Sequence, residues 1–164
     1  YITTPCRPID FWSGILPALG NRRNRISEGI SRSLAILLAE DNDVNQKVAV
    51  RILQKCNHNV TVVENGLQAV KEAQQHRYGE ILMDVSMPVM GGFEATMKIR
   101  QHETLNSLPR TPIVALTAHA MLGDRDKCIQ AGMDEYLSKP LNSNMMIQTI
   151  LKCASMNLVS AVET

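Results

Sequence analysis

The sequence predicts an α/β domain, a five-stranded parallel sheet with helices on both faces. Three observations predict it. Five short strand-like runs alternate with five helical patterns over residues 34–155, an order that implies parallel strands joined by covering helices. The first and third runs, Leu34–Ala39 and Ile81–Met83, are continuously apolar, as strands buried on both faces are. The runs also stop at polar residues. Asp84 closes one of them, just before a Met87-Pro88 turn and the Gly91-Gly92 pair. That is the carboxyl end of a strand, where open α/β sheets bind ligands.

In chain order, Leu34–Ala39 is the first strand, and Glu40-Asp41-Asn42-Asp43 ends it. Asn42 or Asp43 is the candidate cap of the first helix, and Ala49, Ile52, Leu53 and Cys56 fall at helical spacing. Val60–Val63 is a β-branched second strand, broken by Asn65-Gly66. Leu67, Val70 and Ala73 begin the second helix. Glu80–Asp84 is the third strand, and Phe93, Met97 and Ile99 mark the third helix. Pro112–Leu116 is the fourth strand, ending at Thr117. A helix from His119 to Gln130 follows, closed by Gly132. Glu135–Ser138 is the fifth strand, ending at Lys139-Pro140. Met145, Ile147, Ile150 and Leu151 give the fifth helix, with a frayed tail expected over 156–164. A flavodoxin-like (βα)5 strand order suits this length. Met121, Met133, Met145 and Met146 are read as core filler.

The whole chain has 164 residues, a formal charge of +1 and 45% hydrophobic residues. This balance gives no reason to expect nucleic acid or an anionic membrane as partner. No run approaches the roughly 20 apolar residues of a membrane span. Cys6, Cys56, Cys128 and Cys153 form no CxxC pair, so reduced thiols in a cytoplasmic protein are expected. Residues 1–33 differ from the rest. Residues 21–33 are polar and basic, an exposed linker by composition. Tyr136-Leu137-Ser138-Lys139-Pro140-Leu141 echoes Tyr1-Ile2-Thr3-Thr4-Pro5-Cys6. Residues 1–20 are therefore expected to be the tail of a preceding, degenerate domain of the same type, with Thr4 in place of the lysine. The chain opens on Tyr1, not Met, and is expected to be a piece of something longer.

The strand ends carry the chemistry. Glu40 and Asp41, Asp84, Thr117 and Lys139 all fall on one edge of the expected sheet. Three converging carboxylates repel unless a cation sits among them, and oxygen ligands of this kind suit Mg²⁺. A lysine ammonium and a threonine hydroxyl beside them are what a phosphoryl group on Asp84 would need. Singly, each residue has a plainer reading: acidic strand ends cap helices, Lys139 is a surface charge and Thr117 a loop residue. Their joint occurrence, each at a strand end and in this order, outweighs it. His119 reads as a solvated histidine, with a catalytic base as the alternative. Val44 and Val48, one helical turn apart beside the same edge, read equally as core or as a patch that docks a partner's helix.

Residues 34–153 resemble the receiver domains of two-component phosphorelays. The resemblance rests on Glu40-Asp41, on Asp84-x-x-Met87-Pro88-x-Met90-x-Gly92, on Thr117-Ala118, and on Tyr136 three residues before Lys139-Pro140. It implies that Asp84 is the phospho-acceptor. Glu40, Asp41, Asp84 and the Ser86 backbone carbonyl would hold Mg²⁺ or Mn²⁺. Thr117, Ala118 and Lys139 would contact the phosphoryl group, Thr117 and Tyr136 would form a switch pair, and the bond before Pro140 would be cis. Residues 37–46, 87–96 and 115–121 are similar to the receivers of fungal group III (osmosensing) hybrid histidine kinases. The implied partners are the phosphohistidine of the parent kinase and a histidine phosphotransfer protein, which Val44 and Val48 would dock. The sequence contains no kinase ATP site, so kinase activity is expected elsewhere in the parent chain.

Three other readings meet obstacles. A non-phosphorylated interaction module would lack one of the site residues, and none is missing. An aspartyl phosphatase would want an acid two residues after Asp84, where Ser86 stands. A flavin protein would want a phosphate-cradling loop after the first strand, where four consecutive polar residues, three of them acidic, stand instead.

Overall fold

A computed structural model describes residues 33–119 and 121–162, with side chains as far as residue 156. Strands and helices alternate through these residues. They are β1 (Ala35–Ala39), α1 (Asp43–Lys55), β2 (Asn59–Val63), α2 (Gly66–Gln75), β3 (Glu80–Asp84), α3 (Gly92–Leu105), β4 (Ile113–Thr117), α4 (Leu122–Ala131), β5 (Glu135–Ser138) and α5 (Ser143–Val162). All neighbouring strands are parallel, in the order β2-β1-β3-β4-β5. This is the flavodoxin-like order. The chain winds outward from β1 to β2 and then crosses back to β3. The crevice between the carboxyl ends of β1 and β3 is therefore the point where ligands bind in such sheets.

Burial follows position in the sheet. β3 and β4 are buried throughout, whereas edge strand β2 leaves three of its five residues exposed. Alternate side chains along each strand face opposite ways, which yields two cores. Leu37, Ala39, Ile81, Met83, Ile113 and Ala115 pack with Ala69 and Val70 of α2 and Ala95 and Ile99 of α3. Ile36, Leu38, Leu82, Val114 and Leu116 pack with Ala49 and Leu53 of α1 and Met146 and Ile150 of α5.

Local signals hold at several element ends. Asn42 Oδ1 caps α1 by accepting from the Val44 and Asn45 N–H groups at 3.0 and 3.1 Å. Gly132, at φ +99°, closes α4 in the left-handed conformation that glycine adopts without strain. The bond between Lys139 and Pro140 is cis.

Three expectations need correction. The fourth helix starts at Leu122, not His119. The Thr117 hydroxyl donates to the His119 carbonyl and accepts its N–H, which keeps His119 in a turn. The fifth helix does not end at Ser155 but runs to Val162, because residues 156–162 hold no glycine or proline to stop it. Met133 and Met146 are core residues, but Met121 and Met145 are 72% and 52% exposed, since both stand where a helix begins and faces water. The tail of a preceding domain at 1–20 and the linker at 21–33 lie outside the described residues, apart from exposed Ser33. Cys56, Cys128 and Cys153 are free thiols.

One cation fastens the edge opposite the crevice. The Arg100 guanidinium on α3 donates to the Gly132 carbonyl at 2.9 Å, the Thr111 carbonyl at 2.8 Å, Glu103 at 2.7 Å and Asp134 at 2.8 Å. It joins α3 to the segments that lead into β4 and β5. Arg100→Ala would leave buried Glu103 without its cation, while Asp134 keeps Arg110 at 2.9 Å. Removing one partner of a buried pair costs about 3 kcal/mol. The expected result is a lower urea midpoint for Arg100→Ala with an unchanged denaturant slope.

Candidate functional site

The carboxyl edge of the sheet gathers most of the residues singled out from the sequence. Glu40 and Asp41 follow β1, Asp84 ends β3, Thr117 ends β4 and Lys139 follows β5. With Ser86, Ala118 and His119 they line one cleft of about 470 Å³. Backbone fit positions Asp84. A Cβ on Gly92 would lie 2.2 Å from the Asp84 carbonyl oxygen. Only glycine lets the start of α3 come this close to the end of β3.

Asp84 is almost fully buried. Its Oδ1 accepts the Ser86 N–H at 3.1 Å, and its Oδ2 accepts from Lys139 Nζ at 2.9 Å. The same ammonium lies 2.8 Å from Oε2 of Glu40, which is wholly buried. Burial is the main influence on Asp84 and pushes its carboxyl up to about 6. The Lys139 hydrogen bond opposes this, and the Glu40 charge reinforces it. Lys139 is itself held above the ordinary lysine value. Burial acts to lower it, but its close contacts with the Glu40 and Asp84 carboxylates outweigh that.

Glu40, Asp41 and Asp84 each offer an oxygen, and these oxygens lie within 4.8 Å of one another. Hard carboxylate donors at this spacing fit Mg²⁺. One further feature supports the fit. Glu40 Oε2 is sealed from water and meets only the ammonium, with no well-directed hydrogen bond. That oxygen retains capacity for a cation.

Of the singled-out residues, Thr117 lines the cleft without directing its hydroxyl at the carboxylates, and Tyr136 lies outside it. The Thr117 hydroxyl is turned onto its own loop, toward His119. Tyr136 is half-buried beside the core and does not line the cleft. Val44 and Val48 are not core. They are 67% and 40% exposed and line a groove of about 650 Å³ between α1 and α5 with Ile52, Leu141 and Ile147. Lys47, Arg51 and Lys55 border that groove. Sequence reasoning assigned no task to Asn45 or Gln46. The signal was present: Asn45 is three residues beyond the Asn42 cap, so the first turn of α1 returns it to the sheet edge.

The response regulator receiver domain family matches residues 36–151. Among curated proteins, the sensor protein GacS of Pseudomonas syringae is 39% identical over 78% of this chain. Histidine kinase 1 of Arabidopsis thaliana is 39% identical over 93% of it. The chain spans only 14% and 15% of these two proteins. Among solved structures, the receiver domain of the sensor histidine kinase PA1611 from Pseudomonas aeruginosa, with a magnesium ion in its active-site cleft, is 43% identical. It superposes with a TM-score of 0.68 over 76% of this chain and 99% of its own. The receiver domain of Saccharomyces cerevisiae Ssk1, in complex with the histidine phosphotransfer protein Ypd1, is 30% identical. Its TM-score is 0.73, over 76% of this chain and 90% of the matched chain.

A carboxyl raised to about 6 binds its proton more tightly in the folded state than in the unfolded one. Without divalent cation, Asp84 therefore subtracts stability as pH rises from about 4 through 6. Asp84→Asn removes this loss. Its melting temperature is expected to match wild type near pH 4 and to exceed it by a growing margin up to about pH 7, as measured by calorimetry.

Proposed function

The chain belongs to the response regulator receiver domain family, and from that premise we propose that it takes a phosphoryl group from a phosphohistidine onto Asp84 and passes it to a histidine phosphotransfer protein. One observation carries this reading. Asp84 is a buried strand-end carboxylate, flanked by the Lys139 ammonium and grouped with two further carboxylates.

In this mechanism a carboxylate oxygen of Asp84 attacks phosphorus. The new O–P bond forms as the bond from phosphorus to the donor imidazole breaks, and the imidazole nitrogen keeps the electron pair. Glu40, Asp41, Asp84 and the Ser86 carbonyl would hold Mg²⁺ or Mn²⁺, which when bound draws negative charge from the phosphoryl oxygens. Lys139 exchanges its carboxylate partners for a phosphoryl oxygen, with Ala118 alongside. The Thr117 hydroxyl leaves His119 for the phosphoryl group, and Tyr136 turns toward the space vacated. These last two movements are a population shift between two arrangements of the β4 end and α4.

The histidine phosphotransfer protein docks a helix on the groove of Val44 and Val48, close to the cleft because both lie on α1. The parent chain is a hybrid histidine kinase in this reading, and its phosphohistidine is the donor. The wording of residues 37–46, 87–96 and 115–121 supports a fungal, osmosensing parent. The reading places the domain in the cytoplasm. Among the described residues no helix is long and apolar enough to cross a membrane. Neither nucleic acid nor a membrane is a proposed partner.

Incubation with acetyl phosphate and Mg²⁺ should add one phosphoryl group to the intact mass of wild type and none to Asp84→Asn. Equal labelling of both proteins would refute the assignment of Asp84. Val44→Glu should label normally from acetyl phosphate but pass its phosphoryl group to a phosphotransfer protein at least about tenfold more slowly, since it buries an unpaired charge at the docking surface.

A further inference from the structure

Two amide donors and one ammonium converge on the buried carboxylate of Glu40. The Asn42 N–H reaches Oε1 at 3.2 Å, and Asn45 Nδ2 reaches the same oxygen at 3.3 Å. Lys139 Nζ meets Oε2 at 2.8 Å. Gln46 Nε2 separately holds the Glu40 backbone carbonyl at 2.6 Å. The pattern is asymmetric. Neutral amides take one oxygen, which leaves the other to face the ammonium, while the carboxylate offers an oxygen to the cluster with Asp41 and Asp84. Asn45 does not make the usual third-residue contact of a helix start, a side chain returned to the cap N–H. The Asn42 cap N–H is given to Glu40 instead, and the Asn45 amide joins it there.

We infer that Asn45 is a positioning residue for the metal site: its amide locks the rotation of the Glu40 carboxylate so that Oε2 faces the cation. This deepens the metal reading of the cleft and rests on it. A neutral donor suits the task. It anchors Glu40 without adding positive charge that would compete with the ion, and it stays in place when Lys139 moves to a phosphoryl oxygen. With Asn45 absent, Glu40 Oε1 keeps only one backbone donor and the carboxylate can turn. Partners that orient metal ligands in this way are typically worth about 10- to 100-fold in metal affinity. Folding should not suffer in Asn45→Ala, because the position is helical and alanine favours helix.

The test is Mg²⁺ binding to the full chain without any phosphodonor. It is followed by NMR as the shift of the Asp84 and Ser86 amides during titration. The expected result is a dissociation constant at least tenfold weaker for Asn45→Ala, with the metal-free melting temperature close to wild type. Asn45→Gln, which keeps an amide donor, should recover part of the loss. Gln54→Ala, an exposed position on α1 outside both the cleft and the groove, should bind as wild type does. With acetyl phosphate, Asn45→Ala should need more Mg²⁺ for half-maximal labelling yet approach the wild-type rate at saturating metal. Unchanged Mg²⁺ affinity in Asn45→Ala would overturn the inference, as would an equal loss in Gln54→Ala. Failure of wild type itself to bind Mg²⁺ would instead overturn the metal reading beneath it.

Discussion

Charge balance at the carboxyl edge of the sheet governs this molecule. Two wholly or almost wholly buried carboxylates, Glu40 and Asp84, share one ammonium, Lys139, at 2.8 and 2.9 Å. A third carboxylate, Asp41, stands beside them in the open. Buried like charges so close are tolerated only with a counter-charge among them. The sheet supplies it from β5, separated from β1 by both intervening strands in the sheet order. The site therefore exists only when the four strands from β1 through β3 and β4 to β5 are in register. That couples the chemistry to the integrity of the whole fold.

β3 shows how strongly surroundings decide the state of a carboxyl. Glu80 at its start and Asp84 at its end are both buried. Glu80 lies within the sheet with one oxygen unpartnered, and burial together with the Asp134 charge pushes it up to about 8. It is mostly uncharged at neutral pH. Asp84 has the ammonium of Lys139 and the N–H of Ser86, and is raised only to about 6. It is mostly ionised at neutral pH and available as a nucleophile. At the start of the strand, Arg100 spends its charge on Glu103 and Asp134. That edge is fastened by hydrogen bonds, whereas the other edge keeps its cleft open.

Helix α1 serves two surfaces. Toward the sheet edge, its first turn presents Asn45 and Gln46 to Glu40. Away from it, exposed Val44 and Val48, with half-buried Ile52 beside them, form an apolar stripe bordered by Lys47, Arg51 and Lys55. Helical periodicity separates residues 44 and 45 by about 100°, so adjacent residues can serve the cleft and the groove. In the proposed reading this adjacency brings a docked histidine within reach of Asp84.

The sequence by itself determined the alternation of elements, the strand that ends at Asp84 and the set of residues on the reactive edge. Such features are local or periodic: continuous apolar runs, caps such as Asn42, and strand runs that stop at polar residues. Only the tertiary structure decided the exposure of Val44 and Val48, because that depends on whether α5 covers the outer side of α1. It also fixed the start of α4, where two hydrogen bonds between Thr117 and His119 override a helical pattern. It divided the methionines between core and surface. Finally, it gave Asn45 a partner five residues earlier in the chain. Composition and spacing report which faces are apolar. They do not report which donor finds which acceptor once separate strands are brought to one edge.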